Sequence, residues 1–378
     1  MDFSYTEEQG ALRQLARRLF GGRFTDEYRK LFAREGRPYD TTLWAALAEA
    51  GILGTAVDSA QGGSGLGLTE LSLVLEEQGR TLAAVPLLAT LVMGALPLGK
   101  FGSDRQRALL APVVAGQMLL TAALQEEGGT DPLVPAVLAR RVTGGWRLSG
   151  VKTCVPYAQE AQVVLVSART ESDGARLFVL ERQAPGVRVE PQSSTSGEPQ
   201  GRLSLSDVLL GHQDLLGADP AAATAALPWM LERARVALAA LQLGIVDEAL
   251  RRAAAYVSER EQFGRPLGTF QAVQHRLADA YIDAEALRSV YLRAVWALDR
   301  GVPANAEALA ASWWAAQAGH RVTHAVQHVH GGLGADVEYP VHAFFLHAKQ
   351  VEIALGGATP ALAAIGRELA RGNVRAFT

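Results

Sequence analysis

The sequence has little cysteine and little net charge. Cys154 is the one cysteine among 378 residues, so no disulfide can form within the chain, and we expect a reducing, cytoplasmic location. The formal net charge is −3, from 36 basic and 39 acidic residues. This balance gives neither nucleic acid nor an anionic membrane a strong attraction, and we expect neither as a partner. The first ten residues carry no positive charge, so we expect no secretory signal.

Long apolar segments are also scarce. Residues 81–99 carry no charge, a length that could span a bilayer. However, Pro86, Pro97 and two glycines interrupt the segment. A buried helix or helix pair in a helical core explains the same composition, and we predict that structure rather than a membrane span.

Nucleotide-binding fingerprints are missing as well. The glycine-rich stretch at residues 56–69 lacks both the GxGxxG and the GxxxxGK[ST] spacing. We therefore predict a flexible loop there, without a dinucleotide or nucleoside triphosphate site.

Hydrophobic periodicity divides the chain into three parts. Residues 1–118 have helical spacing, with a helix cap at Asp40 and a capping box at Ser103. From about residue 119 the pattern changes to period two, in short segments rich in valine and leucine. Helical periodicity returns near Ala221. We predict an α+β fold with an amino-terminal α-helical domain (1–118), a central β-barrel or sandwich (119–220) and a carboxyl-terminal helical bundle (221–378).

The bundle begins with the most informative stretch, residues 235–270. Its apolar side chains recur at three-and-four spacing, which predicts a long helix ending near Gly264. A turn at Arg265-Pro266 and a second long helix should follow. Arg260 at this junction could bind a phosphate with two parallel hydrogen bonds, and Phe263 could cover an adjacent planar group. Taken alone, a solvated arginine beside a core phenylalanine is the simpler interpretation.

Several short motifs, in order and spacing, resemble the carboxyl-terminal domain of the acyl-CoA dehydrogenase family. They are Arg260-x-x-Phe263-Gly264, Phe270-Gln271, Gln327 followed by Gly331-Gly332-x-Gly334, and the EYPV segment at 338–341. Residues 43–54, 62–67 and 75–80 extend the resemblance over essentially the whole chain. It implies that five residues hold the adenosine diphosphate half of a neighbouring subunit's FAD: Arg260, Phe263, Gln271, Gln327 and Gly331.

The resemblance also implies that the catalytic base is missing. The family needs a carboxylate to remove the α-proton of a thioester. Leu355 occupies its usual position and Ala234 its minority position, and neither side chain can accept a proton. Glu232, which matches a family aspartate that hydrogen-bonds the pantetheine of CoA, is the remaining candidate base, ahead of Glu352.

The part of the family's FAD site that holds the flavin ring is altered too. The loop at residues 125–131 is shorter and more acidic than its family counterpart. Cys154 stands where a tryptophan covers the ring, and Pro156 offers neither a hydroxyl nor an N–H. The resemblance implies that the chain keeps the half of the site that serves a neighbour and has lost the half that would serve itself.

This combination most resembles the non-catalytic subunit of the α2β2 acyl-CoA dehydrogenases of actinobacterial steroid side-chain degradation. It implies a catalytic partner subunit, a steroid CoA thioester as substrate and electron-transferring flavoprotein as acceptor, with this chain inactive alone. Two alternatives stay open. One is a self-sufficient homomeric dehydrogenase that uses Glu232 as base, and the other is a non-redox CoA-binding or scaffold protein.

Histidines are concentrated near the carboxyl terminus, with six of the eight between His320 and His347. His320, His324 and His328 share one helix face, a spacing that could bind zinc. No HExxH glutamate accompanies them, so we predict packing and hydrogen bonding rather than a metal site. His330, beside Gly331, is a candidate for contact with the cofactor.

Overall fold

The computed structural model describes residues 3–129, 131–171 and 174–372. The chain forms two compact units. The first comprises residues 1–36, 72–83 and 235–378, and the second comprises residues 37–71 and 84–234.

The described residues contain thirteen α-helices. They are α1 (Glu7–Arg23), α2 (Asp26–Glu35), α3 (Thr41–Glu49), α4 (Leu68–Thr81), α5 (Leu96–Phe101), α6 (Asp104–Arg107), α7 (Leu110–Val114), α8 (Pro220–Glu259), α9 (Gln271–Asp299), α10 (Asn305–His330), α11 (Gly332–Ala335), α12 (Val341–Ile353) and α13 (Ala358–Ala370). The predicted caps are confirmed: the Asp40 carboxylate accepts N–H bonds at the start of α3, and Ser103 forms a capping box with Gln106 at α6.

Helix α4 shows why a glycine need not end a helix. Glycine is common at helix ends, but α4 continues past Gly79 to Thr81. In the first unit, a Cβ at Gly79 would clash with the backbone of Leu241 in α8, and a Cβ at Gly244 would clash with Glu76 in α4. The two glycines therefore allow α4 and α8 to approach closely.

The second unit contains a seven-stranded sheet. Its strands are β1 (Leu120–Ala123), β2 (Leu138–Val142), β3 (Gly145–Pro156), β4 (Val163–Thr170), β5 (Gly174–Glu181), β6 (Val187–Gln192) and β7 (Gln200–Gly211). The order is β1-β4-β2-β3-β7-β6, with β5 also paired to β4. The period-two pattern does not predict strand β2, because Arg140 and Arg141 interrupt its apolar alternation.

Most of the uncharged segment at residues 81–99 is buried, as predicted. Leu88–Ala95 form a π-helix that continues into α5, and every residue from Ala89 to Ala95 is buried. The Thr90 hydroxyl donates to the Leu120 carbonyl at 3.0 Å, which anchors this helix on β1. Among the described residues, no helix is long and apolar enough to cross a membrane.

Candidate functional site

A hairpin follows α8. The helix ends at Glu259, before the predicted end at Gly264. Strand β8 (Glu261–Gln262) then pairs antiparallel with β9 (Arg265–Pro266), so the predicted turn at Arg265-Pro266 is a strand. The turn itself is Phe263-Gly264, with φ of +54° and +78°. Two positive φ values in a two-residue hairpin loop are typical of a type I′ turn.

Phe263 is an unusual residue for this turn. Type I′ turns favour Asn-Gly, because a left-handed φ is strained for a bulky side chain. Burial does not explain the ring either, since Phe263 is 91% exposed. It makes an edge contact with Phe270, with ring centroids 6.1 Å apart. Neither turn preference nor core packing accounts for Phe263, which leaves its ring available to a ligand or a partner.

Arg260 lies at the base of the hairpin. Its backbone N–H donates to the Tyr256 carbonyl and its own carbonyl accepts from Leu267, each at 2.8 Å. Within the described ranges, the exposed Arg260 guanidinium has no hydrogen-bond or ion-pair partner. The backbone is thus fixed while the charged group is free to bind an anion.

Helix α9 begins at Gln271, after the 3₁₀ turn Leu267–Thr269 that follows the hairpin. Its N-cap residue is Phe270, and no side chain in the described part of the chain caps the helix. The first N–H groups of a long helix and its dipole favour an anion at this end. The exposed Gln271 side chain adds a neutral hydrogen-bonding group.

The turn after α10 contains the other two predicted residues. Gly331 has φ +61° and ψ −137°, a conformation suited to glycine. The Gln327 amide donates to the Gly334 carbonyl at 3.0 Å, so this side chain closes the turn. His328, one residue on, is exposed at the same turn. His328 lies four residues after the exposed His324, so the two side chains are on the same face of α10, and this spacing could have predicted that His328 is exposed.

Aromatic contacts bring the ends of α8 and α10 together in the first unit. The Tyr256 ring stacks on His330 with centroids 4.3 Å apart. Arg260 is hydrogen-bonded to Tyr256, and Gly331 follows His330. The structure thus places the Arg260 hairpin and the Gly331 turn beside one shared aromatic stack.

In the second unit, Glu126 is held by hydrogen bonds and an ion pair within its own chain. The Glu126 carboxylate accepts from the backbone N–H groups of Ala136 and Val137 and from Lys152 Nζ, the last at 2.6 Å. Burial lowers the pKa of Lys152 to about 8, although Glu126 partly offsets this effect. Thr130 lies outside the described residues. The polar atoms of Glu126 thus have partners within the chain.

Two backbone groups of strand β3, at Cys154 and Pro156, are also hydrogen-bonded within the chain. Its register against β7 shifts between Lys152 and Val155, a bulge that contains Cys154. Cys154 has φ +51°, and its N–H donates to Gln192 Oε1 at 2.8 Å. Pro156 has no N–H, and its carbonyl accepts from the Thr121 hydroxyl at 2.6 Å.

The two candidate carboxylates lie in ion pairs. Glu232 is 3.3 Å from Arg233 Nη1. Glu352 contacts Lys349 Nζ and lies 3.5 Å from His320 Nδ1. The backbone at Leu355 belongs to a 3₁₀ turn, Ala354–Gly356, and its side chain is outside the described set.

Two of the three histidines that were predicted to share a helix face, His320 and His324, are in contact. His320 and His324 lie close, with ring centroids 4.1 Å apart. No cluster of three or more His, Cys, Asp or Glu residues that could hold a metal ion occurs in the described part of the chain.

Comparison with known proteins gives matches over the whole chain. Family models match residues 6–117 (Acyl-CoA dehydrogenase, N-terminal domain), 121–208 (middle domain) and 224–370 (C-terminal domain). Acyl-CoA dehydrogenase FadE27 of Mycobacterium tuberculosis is 39% identical over 379 residues, covering 98% of this chain and 99% of FadE27.

Solved structures agree. The ChsE4-ChsE5 complex from Mycobacterium tuberculosis matches with a TM-score of 0.92 and 39% identity over 100% of both chains. A Tcur3481-Tcur3483 steroid ACAD matches with a TM-score of 0.91 and 46% identity, over 97% of this chain and 99% of the other. The predicted order of helical, β and helical parts is thereby confirmed. The chain belongs to the acyl-CoA dehydrogenase family, whose members are FAD-binding oxidoreductases.

Proposed function

We propose that the chain is a subunit of an FAD-dependent acyl-CoA dehydrogenase complex, that it completes the FAD site of a catalytic partner, and that it has no base of its own. One contrast carries the proposal. Within the described residues, the Arg260 guanidinium is free, whereas Glu126 in the loop after β1 and the Cys154 N–H in strand β3 are bonded within the chain.

The hairpin and the α10 turn fit the adenosine diphosphate half of FAD. Arg260 and the uncapped start of α9 offer charge and N–H groups to the pyrophosphate. Phe263 packs beside them, and Gln271 faces the adenosine portion. Gln327 keeps the turn closed. Apart from its chain neighbours, no described residue comes within 4 Å of where a Cβ at Gly331 would stand, which leaves room for the nucleotide.

The second unit fits the flavin ring poorly. When bound, FAD takes a hydride from the β-carbon of the thioester. The residues that would face its ring in this chain are Cys154, whose N–H already bonds to Gln192, and Pro156, which has no N–H. Glu126 is committed to Lys152 and two backbone groups. We therefore assign the ring to the partner's own loop and strand.

The base also belongs to the partner in this proposal. Leu355 and Ala234 cannot accept a proton. Proton abstraction needs a carboxylate placed accurately at the α-carbon. Glu232 and Glu352 are each held by a neighbouring cation, which opposes such placement.

The finer assignments rest on resemblance and on the relatives. A matched structure is a steroid ACAD, and another is a complex of two different proteins. We accordingly propose a steroid CoA thioester as substrate, an α2β2 assembly in the cytoplasm, and electron-transferring flavoprotein as the acceptor.

The test is co-expression with a family member from the same genome that carries a base glutamate. We expect the chain alone to be free of flavin, and the pair to form a four-chain complex with about two FAD. Flavin content and mass from light scattering give both numbers. One FAD per chain from the lone protein would contradict the proposal and favour a homomeric enzyme. A stable complex that keeps its FAD after Arg260→Ala would favour a scaffold.

A further inference from the structure

His330 lies where the two proposed nucleotide-binding segments meet. It is the last residue of α10 and is only 4% exposed. Its ring is stacked on Tyr256, at an interplanar angle of 22°, and its centroid is 5.5 Å from that of Tyr339. Three segments of the first unit therefore converge on one imidazole.

The hydrogen bonds of His330 define its protonation state. Nδ1 is 2.7 Å from the Val326 carbonyl. Because a carbonyl can only accept, Nδ1 carries a proton. Nε2 is buried and has no hydrogen-bond partner among the described residues. A proton added at Nε2 would create a buried N–H without an acceptor, which is unfavourable.

The groups packed around the ring do not favour an imidazolium. Tyr256 and Tyr339 contribute aromatic rings and no carboxylate. Behind Tyr339, Arg252 pairs with Asp26 at 2.7 Å, so this carboxylate already has a partner. Burial lowers the pKa of His330, and the bond to Val326 offsets part of that effect. The ring is thus neutral in the stack.

The stack is connected to the anion-binding groups by short links. The Tyr256 carbonyl accepts the backbone N–H of Arg260 at 2.8 Å, and Gly331 is bonded covalently to His330. A displacement of the imidazole would release Tyr256 on one side and the Gly331 turn on the other.

We infer that His330 is a positioning residue for the nucleotide: its neutral ring fixes the Arg260 hairpin relative to the Gly331 turn, and its protonation in acid loosens both. This inference rests on the proposed function. Protonation is easier when the ring is outside the stack, so below the ordinary imidazole pKa of about 6.5 the open arrangement gains population, by up to about tenfold per pH unit.

The test uses the purified complex and its bound FAD. We would measure FAD release by flavin fluorescence from pH 7.5 to 5.5 for wild type, His330→Ala and His330→Phe. In wild type, release should accelerate about tenfold at the acid end. His330→Phe keeps an aromatic stack without a titrating group, so its release should stay within about twofold of the wild-type rate at pH 7.5 and should not accelerate in acid. His330→Ala should release FAD about tenfold faster at both pH values.

His347→Phe is the matched control. His347 makes the same bond to the carbonyl four residues earlier, Nδ1 to Ala343 at 2.9 Å, on α12. We expect its FAD release to follow wild type at every pH.

A second measurement does not depend on FAD binding. Exchange of the Leu267 amide, which bonds to the Arg260 carbonyl, reports on the hairpin. It should be about tenfold faster in His330→Ala and unchanged in His330→Phe. The inference would be overturned if His330→Ala released FAD and exchanged the Leu267 amide at the wild-type rates. It would also be overturned if His330→Phe still released FAD faster in acid. The Arg260→Ala variant separates the two hypotheses. If the complex with Arg260→Ala retains its FAD, the proposed function fails. If it loses FAD while both His330 variants behave as wild type, only the inference about His330 fails.

Discussion

The hairpin after α8 and strand β3 both hold a non-glycine residue in a left-handed conformation, for opposite reasons. At Cys154, φ is +51° and the N–H is bonded to Gln192, so the chain itself holds the strained residue in place. At Phe263, φ is +54° and the ring is almost fully exposed. The first region satisfies its own groups, and the second presents them outward.

Under the proposed function, this difference separates the half of the cofactor site that the chain would keep from the half that it would leave to its partner. Backbone strain at an exposed aromatic has no benefit within the chain, so an outside contact is the reason to look for. A strained residue whose polar groups are already bonded gives no such indication. The predictions below test whether the two regions are as separate in function as they are in bonding.

The largest effect is expected in the second unit, at the ion pair between Glu126 and Lys152. Glu126→Ala leaves Lys152, whose side chain is 0% exposed, without its ion partner, and two backbone N–H groups without an acceptor. Breaking a buried ion pair costs about 3–5 kcal/mol, so the free energy of unfolding should fall by about that amount. Urea denaturation measures it. The complex should keep its FAD affinity in the absence of urea.

The double variant Glu126→Ala/Lys152→Met is the control. It removes both charges, so it should recover much of the lost stability.

The same ion pair makes the stability depend on pH. Burial raises the pKa of Glu126, but the bonds from Lys152, Val137 and Ala136 outweigh this and hold the pKa below its usual value. The stabilisation is therefore present above the unfolded-state pKa and is lost as pH falls through the folded one. If Glu126→Ala lowered the free energy of unfolding by less than about 1 kcal/mol, Glu126 would not hold the loop as described.

The second effect is on the cofactor. Arg260→Ala removes a free guanidinium, and a hydrogen bond to a charged group contributes about 1.5–3 kcal/mol, or roughly 10- to 150-fold in affinity. We expect FAD affinity of the complex to fall by that factor with chain stability unchanged. Arg260→Lys should give a smaller loss, because a lysine cannot bind bidentately.

Arg251→Ala provides the matched control. Arg251 is also an exposed arginine and lies on α8, but it pairs with Glu248 at 2.7 Å. Fluorescence titration should show wild-type FAD affinity for this variant. Equal losses in the Arg260 and Arg251 variants would point to a general charge effect instead of a specific anion site.

A smaller effect, with opposite signs, is expected at the hairpin turn. Phe263→Asn places a preferred residue at the left-handed position and should stabilise the chain by roughly 1 kcal/mol. The same change removes the exposed ring, so FAD release from the complex should become severalfold faster. Thermal unfolding and flavin release measure the two quantities separately. A parallel gain or loss in both would contradict the assignment of the ring to the partner's cofactor.

Local features of the fold follow from sequence because they depend on near neighbours. The cap at Asp40 and the capping box at Ser103 need only residues within one turn. The role of Gly79 could not be predicted in this way, since the requirement for a small residue comes from α8, more than 160 positions along the chain.

The candidate site shows the same limit. The motif spacing selects Gln327, but a side chain at a helix end can turn inward or outward depending on the following loop. Here the loop brings the Gly334 carbonyl within 3.0 Å of its amide, and His328 is left exposed. Likewise, the importance of His330 comes from Tyr256 and Tyr339, which no spacing rule connects to it.

The last comparison concerns Glu232, where we expect no effect. Glu232→Gln keeps the size and polarity of the side chain but removes any capacity to act as a base. If the base belongs to the partner, turnover of the complex with an acyl-CoA substrate should stay within about twofold of wild type, whereas removing a general base typically lowers the rate by about 10²–10⁴-fold. The glutamine variant of the partner's own base glutamate shows in the same assay what such a loss looks like. A large loss from Glu232→Gln would place the chemistry on this chain, and the division between the two regions would then describe cofactor binding but not catalysis.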